Sequence, residues 1–316
     1  MPTTRLAPSP TGALHLGNAR TFLINWLLAR QNGWRIILRI EDLDGPRVKR
    51  GADQLLLQDL QYLGLDWDAG PIYQSTRQAL YTAAVDRILK QRLAYPCVCS
   101  RREVELAASA PHPEDHTSIY PGTCRGKFAS LEQARAQSGK KPAVRFAAPD
   151  RQVEFEDAFL GSQRFNVGAD LGDFVIAKSD GTAAYQLAVV VDDLEGEVDQ
   201  VVRGDDLLDC APRQILLYEA LGAASRVPHY THVPLVVGPD GRRLAKRHGD
   251  TRLAAYRQYG VPPDRVLALL ARWCGIDDAP RLEHPRELLD RFRLDRIGKS
   301  AIVFTAGDDR FLREAA

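Results

Sequence analysis

Residues 7–18 read Ala7-Pro8-Ser9-Pro10-Thr11-Gly12-Ala13-Leu14-His15-Leu16-Gly17-Asn18. A short apolar approach, Thr4 to Ala7, precedes them, and Pro8, Pro10 and Gly12 then break it. From Leu16 to Arg30 apolar residues recur at helical spacing: Leu16, Phe22, Leu23, Trp26 and Leu27. The stretch therefore reads strand, tight turn, helix. A helix N-terminus presents unpaired N–H groups and a partial positive charge, which makes it a ready site for phosphate. His15 sits near that terminus and can donate to a phosphate oxygen. Gly17 has no side chain, so a flat ring can lie against the backbone there. A lone His-x-Gly-Asn carries little information, because an ordinary turn contains such patterns too. The full string carries much more.

Working outward, Asn32-Gly33 stops the first helix. Arg35 to Ile40 (RIILRI) is a continuous apolar, β-branched run, the pattern of a strand buried on both faces. A second helix carries Leu55, Leu56, Leu60 and Leu63 on one side, and a third covers about 77–92. Strands alternating with helices predict an α/β fold with a parallel sheet. From about 95 to 150 the pattern changes to clustered Cys, several Pro and two His, which reads as an inserted loop-rich module. Regular patterning returns at Asp173–Ala177, Ala188–Val191 and Val198–Arg203. Cys210 to Leu221 reads as a helix, Val233 to Val237 as a strand, Pro239-Asp240-Gly241 as a turn, and Asp264 to Cys274 as a helix after Pro262-Pro263.

The chain has 316 residues, 45% apolar and 26% charged, an ordinary globular composition. Lys plus Arg is 42 and Asp plus Glu 41, so a nucleic-acid partner would need a local basic face. No apolar run approaches the roughly 20 residues needed to span a bilayer. The N-terminus MPTTRLAPSP has no charged region followed by an apolar one, so no signal peptide is expected. The expected compartment is the cytoplasm, with no membrane partner and a monomeric chain. Thiols there stay reduced, so the five cysteines are read as metal ligands or core residues before disulfides.

Three further constellations can carry chemistry. Arg243-Leu244-Ala245-Lys246-Arg247-His248-Gly249 follows the turn at 239–241. Its cations could neutralise charge spreading over phosphate oxygens during transfer, although a solvated basic loop looks similar. The second set is Arg5, Ser9, Glu41, Tyr185 and Arg203. A dicarboxylate with a free amine needs a cation for its side chain and an anion for its ammonium, and Arg matches a carboxylate bidentately. Glu41 ends the buried strand, at the carboxyl end where open α/β sheets bind ligands. The third is Cys97-Val98-Cys99 with Cys124, three thiols within 28 residues of a segment that lacks an evident core. They suggest a structural zinc site. The spacing leaves the fourth ligand open: His112 and His116 are nearby and are commoner ligands than Tyr120. Cys210 and Cys274 lie in apolar helices and read as core residues.

The string at 7–18 resembles the HIGH signature of class I aminoacyl-tRNA synthetases, in the form used by the glutamyl and glutaminyl group. The loop at 243–249 resembles their KMSKS loop, with Arg243 for the first Lys, Ala245 for the Ser, and the second Lys kept as Lys246. The resemblance implies a Rossmann-like nucleotide-binding catalytic domain with a zinc-bearing insertion and a small helical C-terminal part. It implies first and second halves of that domain at 1–95 and 173–237, an inserted zinc-binding, acceptor-like module at 96–172, and the KMSKS-like loop with helices at 238–316. His15, Gly17 and Lys246 would be catalytic, and Pro8, His15, Gly17, Asn18 and Lys246 would hold ATP, with Mg²⁺. Arg5, Leu6, Ala7, Pro8, Ser9, Glu41, Tyr185 and Arg203 would hold L-glutamate. Cys97, Cys99, Tyr120 and Cys124 would hold Zn²⁺, a choice of Tyr120 that the resemblance makes and the spacing does not.

Only 67 residues follow Gly249, so no anticodon-binding domain is expected. That pattern resembles the glutamyl-Q tRNA(Asp) synthetases, which place glutamate on the queuosine base of tRNA(Asp) after activating it with ATP and without tRNA. An exposed base in a loop is a suitable RNA target because its edges can be read. Two other readings stay open: a glutamyl-tRNA synthetase lacking its anticodon domain and acting on tRNA(Glu), and a non-catalytic paralogue binding tRNA or nucleotide. Ala245 is the one feature that favours the last.

Overall fold

The apolar run at 35–40 forms β2 (Arg35–Ile40), hydrogen-bonded in parallel to β1 (Thr3–Leu6) and β3 (Ala69–Tyr73). The computed structural model describes residues 1–43, 45, 48–100, 102–104, 119–242, 244, 250–277 and 282–313. At the β2–β3 register shift Gly70 has φ +99°, and a Cβ there would lie 2.3 Å from the Leu38 carbonyl oxygen, so only glycine fits.

Helix α1 (Leu16–Gln31) is buried almost all round, because it lies between the sheet and the C-terminal helices. Its polar residues are therefore paired rather than solvated. Asn25 donates to the Arg5 carbonyl at 2.9 Å and accepts from the Thr4 hydroxyl at 2.9 Å, which fixes the helix to β1. The buried Arg20 donates to the carbonyls of Trp273 (2.9 Å) and Pro234 (2.6 Å). Helices α2 (Ala52–Tyr62) and α3 (Gln78–Lys90) follow β2 and β3.

The segment read as loop-rich holds regular structure. Strands β4 (Ala94–Cys97), β5 (Ala143–Phe146) and β8 (Phe174–Ala177) form an antiparallel sheet, and β6 (Gln152–Asp157) and β7 (Gly161–Asn166) a hairpin. A short helix, α4 (Leu131–Ser138), is N-capped by Ser130. Strands β4, β5 and β8 are four residues long, with Pro96 and Arg145 among them, and only β6 alternates clearly, with Val153 and Phe155 between exposed Glu154 and Glu156. The segment also has a small core of Tyr95, Cys97, Tyr120, Cys124, Phe128 and Ala134.

Residues 188–191 lie within helix α5 (Tyr185–Glu195), where Leu187 to Asp193 are all buried and no single face is marked out. Strand β9 (Gln200–Gly204) runs beside β1: the Asp199 amide donates to the Thr3 carbonyl at 3.0 Å. Strand β10 (His229–Val233) pairs in parallel with β9, and at Tyr230 with Asp157 of β6, so the 96–172 segment is tied to the main sheet. Pro234 ends β10, splitting the expected 233–237 strand. Strand β11 (Val236–Val237) then pairs with β12 (Ile302–Val303). Helices α6 (Cys210–Ala220), α7 (Leu253–Gln258), α8 (Pro263–Arg272) and α9 (Ala306–Arg313) complete the chain. Among the described residues no helix is long and apolar enough to cross a membrane.

Asp59 of α2 is fully buried; it accepts from the Leu14 amide at 3.0 Å and faces Arg257 at 3.1 Å. Burial outweighs both partners and pushes its carboxyl up to about 6. A carboxyl raised on folding stabilises most below its unfolded pKa of about 4, and that contribution is lost as pH rises to about 6. The stability of the wild type relative to Asp59→Asn should therefore fall by roughly 1–2 kcal/mol between pH 4.5 and 7, read by urea unfolding. An unchanged difference would show that Asp59 is ionised throughout.

Candidate active site and a thiol cluster

Ligands of open α/β sheets bind at the carboxyl ends of the strands. Here the ends of β1, β2 and β9 meet the N-termini of α1 and α5 around a cavity of about 470 Å³. Arg5, Ala7, Pro8, Ser9, Glu41, Tyr185 and Arg203 line it. His15, Gly17 and Asn18 line it as well, so the expected amino-acid and phosphate sets share one space. Leu6 differs from its neighbours: its side chain is fully buried in the core and does not line the cavity, which leaves only its main chain for a ligand. Strand alternation explains this, since Arg5 and Ala7 face one side and Leu6 the other.

Arg5 and Glu41 of the wall join a cluster of buried charges, Arg39, Asp192 and Asp193. Arg39 of β2 donates to Asp193 of α5 at 2.5 Å and to Glu41 at 3.0 Å. The Arg5 Nε lies 3.5 Å from the same Asp193, and Arg5 Nη1 donates to the Val202 carbonyl at 3.4 Å. Burial would lower the Arg39 guanidinium, but Asp193, Glu41 and Asp192 outweigh it and raise it. Burial raises the Glu41 carboxyl, opposed by Arg39 and Arg5. Neighbouring Asp192 accepts from Gln74 (2.8 Å), Arg77 (2.6 Å) and Tyr81 (2.9 Å). Arg203 donates to His232 and to Gln214, each at 2.9 Å. Tyr185, the first residue of α5, is 39% exposed at the rim.

His15 is the N-cap residue of α1 but makes no side-chain cap. Its Nδ1 lies 3.0 Å from the Thr251 hydroxyl. The Leu16 amide donates to the Thr251 carbonyl at 3.0 Å, and the Leu253 amide to the Leu14 carbonyl at 2.8 Å. The chain that follows residues 243–249 is thereby stitched to the turn. Lys246 lies outside the described residues, as do Arg243, Ala245, Arg247, His248 and Gly249. Leu244 is described, and it lines the cavity. A Cβ on Gly17 would meet Val236 at 3.4 Å, an ordinary contact, so packing alone does not demand glycine there.

The thiols form a separate cluster. The sulfurs of Cys97, Cys99 and Cys124 all lie within 4.8 Å of one another. The Tyr120 hydroxyl is 3.5 Å from the sulfurs of Cys97 and Cys99 and accepts from the Cys124 amide at 2.8 Å. Arg145 stacks on the Tyr120 ring at 3.8 Å and donates to Cys97 at 3.3 Å. Three sulfurs and one oxygen at this spacing could hold a metal ion. His112 and His116 lie outside the described residues. Cys210 and Cys274 are buried, as core residues should be.

The sequence reading missed Arg39, Asp192, Asp193, His232 and Thr251. Two of these sites carried a signal: an arginine inside RIILRI and paired carboxylates inside VVVDDLE are charges in apolar runs. Such charges need partners when buried.

A strand-end cavity beside a helix-terminal histidine turn is the arrangement in which α/β enzymes can take a phosphorylated ligand. Residues 2–303 match the family described as tRNA synthetases class I (E and Q), catalytic domain, and the chain belongs to that family. It is 48% identical to the glutamyl-Q tRNA(Asp) synthetase of Symbiobacterium thermophilum, over 96% of this chain and 95% of that one. The protein of the same name from Rhodopirellula baltica is 46% identical over 95% of each chain. Among solved structures, a glutamate tRNA ligase from Elizabethkingia meningosepticum in complex with its amino acid matches 98% of this chain and 68% of its own. The TM-score is 0.81 and the identity 28%.

Removing Arg39 would leave Asp193 and Glu41 buried without their main counter-charge. Arg39→Met should cost about 3–5 kcal/mol in urea unfolding. A cost below about 1 kcal/mol would show that the cluster is solvated and does not organise the site.

Proposed function

We propose that the protein is a glutamyl-Q tRNA(Asp) synthetase, which activates L-glutamate with ATP, without tRNA, and transfers it to the queuosine base of tRNA(Asp). The observation that carries this reading is the shared cavity: the amino-acid set and the His15 turn line one space. Near end-to-end similarity to relatives of that name supports the RNA half.

In this reading Arg5 and Arg203 take the side-chain carboxylate of glutamate, and Glu41 its ammonium. Tyr185 closes the rim, and the backbone of residues 5–9 completes the wall, Leu6 through its main chain only. The glutamate α-carboxylate attacks the α-phosphorus of ATP, and pyrophosphate leaves; Mg²⁺ bound to the nucleotide would offset the charge on its phosphates. His15, the α1 N-terminus and Lys246 stabilise the charge that spreads over the phosphate oxygens. Pro8, Gly17 and Asn18 border the nucleotide. A queuosine ring hydroxyl then attacks the mixed anhydride, its proton is lost, and AMP leaves. Residues 1–95 and 173–237 act as the two halves of the catalytic domain, 96–172 as its insertion, and 238–316 as the KMSKS-like and helical part. Cys97, Cys99, Tyr120 and Cys124 hold a structural Zn²⁺, which supplements the small core of that segment. The protein works as a cytoplasmic monomer.

The test is transfer of labelled glutamate to tRNA(Asp) with and without queuosine, beside tRNA(Glu). Label on queuosine-containing tRNA(Asp) alone is expected, and His15→Ala and Lys246→Ala should each lose at least about 100-fold in pyrophosphate exchange. Label on tRNA(Glu) would make the protein a minimal glutamyl-tRNA synthetase. For the thiol cluster, metal analysis should find one zinc per chain, and Cys124→Ala should lose it. A zinc-free wild type that melts at the same temperature with and without added zinc would remove the metal from the account.

A further inference from the structure

Arg203 is held from behind by groups to which the reading above gives no role. A guanidinium has five N–H donors and no acceptor. Its Nε–H donates to His232 Nε2 at 2.9 Å, so that nitrogen must be bare. The imidazole proton therefore sits on Nδ1, which lies 2.6 Å from Asp157 Oδ2. A doubly protonated imidazole would face the Arg203 proton with a second one. Burial holds His232 below its ordinary range, helped by Arg203 and opposed by Asp157. Asp157 is fixed in turn by the amides of Phe159 (3.0 Å), Leu160 (2.9 Å) and His232 (3.1 Å). On the other side, Arg203 Nη1 donates to Gln214 of α6 at 2.9 Å. That leaves Nη2, which is buried, has no hydrogen-bond partner among the described residues, and belongs to a side chain that lines the cavity.

We propose that Asp157 and His232 are positioning residues for Arg203: the carboxylate sets the imidazole tautomer, the imidazole sets the guanidinium plane, and the remaining Nη2 edge meets a carboxylate of the bound amino acid. This rests on the reading that the cavity takes glutamate. It has two consequences. A guanidinium offers donors only, and one held on two sides cannot swing away from the amide nitrogen of glutamine, so the relay favours glutamate over glutamine. Asp157 also belongs to β6, so the segment that carries the thiol cluster supplies the far end of amino-acid recognition.

His232→Leu removes the acceptor. Asp157→Asn supplies an amide that can donate to Nδ1, which moves the imidazole proton to Nε2, against Arg203. His232→Gln restores an acceptor toward Arg203 and a donor toward Asp157. In tRNA-free pyrophosphate exchange, the KM for glutamate should rise about tenfold or more in His232→Leu and Asp157→Asn, while the KM for ATP stays within about twofold. His232→Gln should return to within about threefold of wild type. Imidazole ¹⁵N spectra of the wild type should show the Nδ1–H tautomer for His232. An unchanged glutamate KM, an equal rise in both KM values, or an Nε2–H tautomer would overturn the relay. If His232→Leu does not fold, Asp157→Asn, His232→Gln and the ¹⁵N spectra decide. A wild type without glutamate-dependent exchange would bring down the functional reading instead, while the ¹⁵N spectra would still test the relay.

Discussion

Asp193 is buried against two guanidiniums, 2.5 Å from Arg39 and 3.5 Å from Arg5. The rest of the site depends on that contact. An apolar parallel sheet gives no reason for cations at its carboxyl edge, and burying them alone would be prohibitive. One carboxylate from α5 makes it possible for β1 to carry Arg5, and for β2 to carry Arg39 and lead into Glu41, beside an open cavity. Such a cluster adds little net stability compared with apolar packing. What it contributes is geometry: it fixes α5, and with it Tyr185, against the two strands that carry Arg5 and Glu41.

A second constraint joins the two ends of the chain. The turn after β1 is bonded by backbone and side chain to Thr251, Arg252 and Leu253. The chain at 251–253 is therefore fixed to the same histidine that lines the cavity. The His15 turn and the Arg5–Glu41 side of the cavity thus rest on different supports, the C-terminal stitch for one and the buried charges for the other.

The sequence was most legible where local pattern and chemistry coincide. The apolar run at 35–40, the helix at 16–31 and the turn between them followed from periodicity and turn residues alone. The site residues Arg5, Glu41, Tyr185 and Arg203 were reached through family resemblance, and the structure brings them around one cavity. The supporting groups showed at most as charges in apolar runs, and their partners were not legible, because those lie in long-range contact. Asp193 lies 154 residues from Arg39, and His232 lies 75 from Asp157. The strands β4 and β5 escaped because they are only four residues long and hold Pro96 and Arg145, while the alternation of β6 was there to be read; the helix at 185–195 escaped because Leu187 to Asp193 are all buried. Leu6 was grouped with its neighbours by the motif, but the pleat of β1 turns its side chain into the core.

The central claim is that this cavity holds glutamate with its side chain on the arginines and its activated end at the His15 turn. A crystal structure with a non-hydrolysable glutamyl-adenylate analogue tests it most directly. The account predicts the side-chain carboxylate within hydrogen-bonding reach of Arg203 Nη2, the ammonium beside Glu41, and the phosphate mimic at His15. An analogue bound in the reverse sense, or outside this cavity, would contradict it.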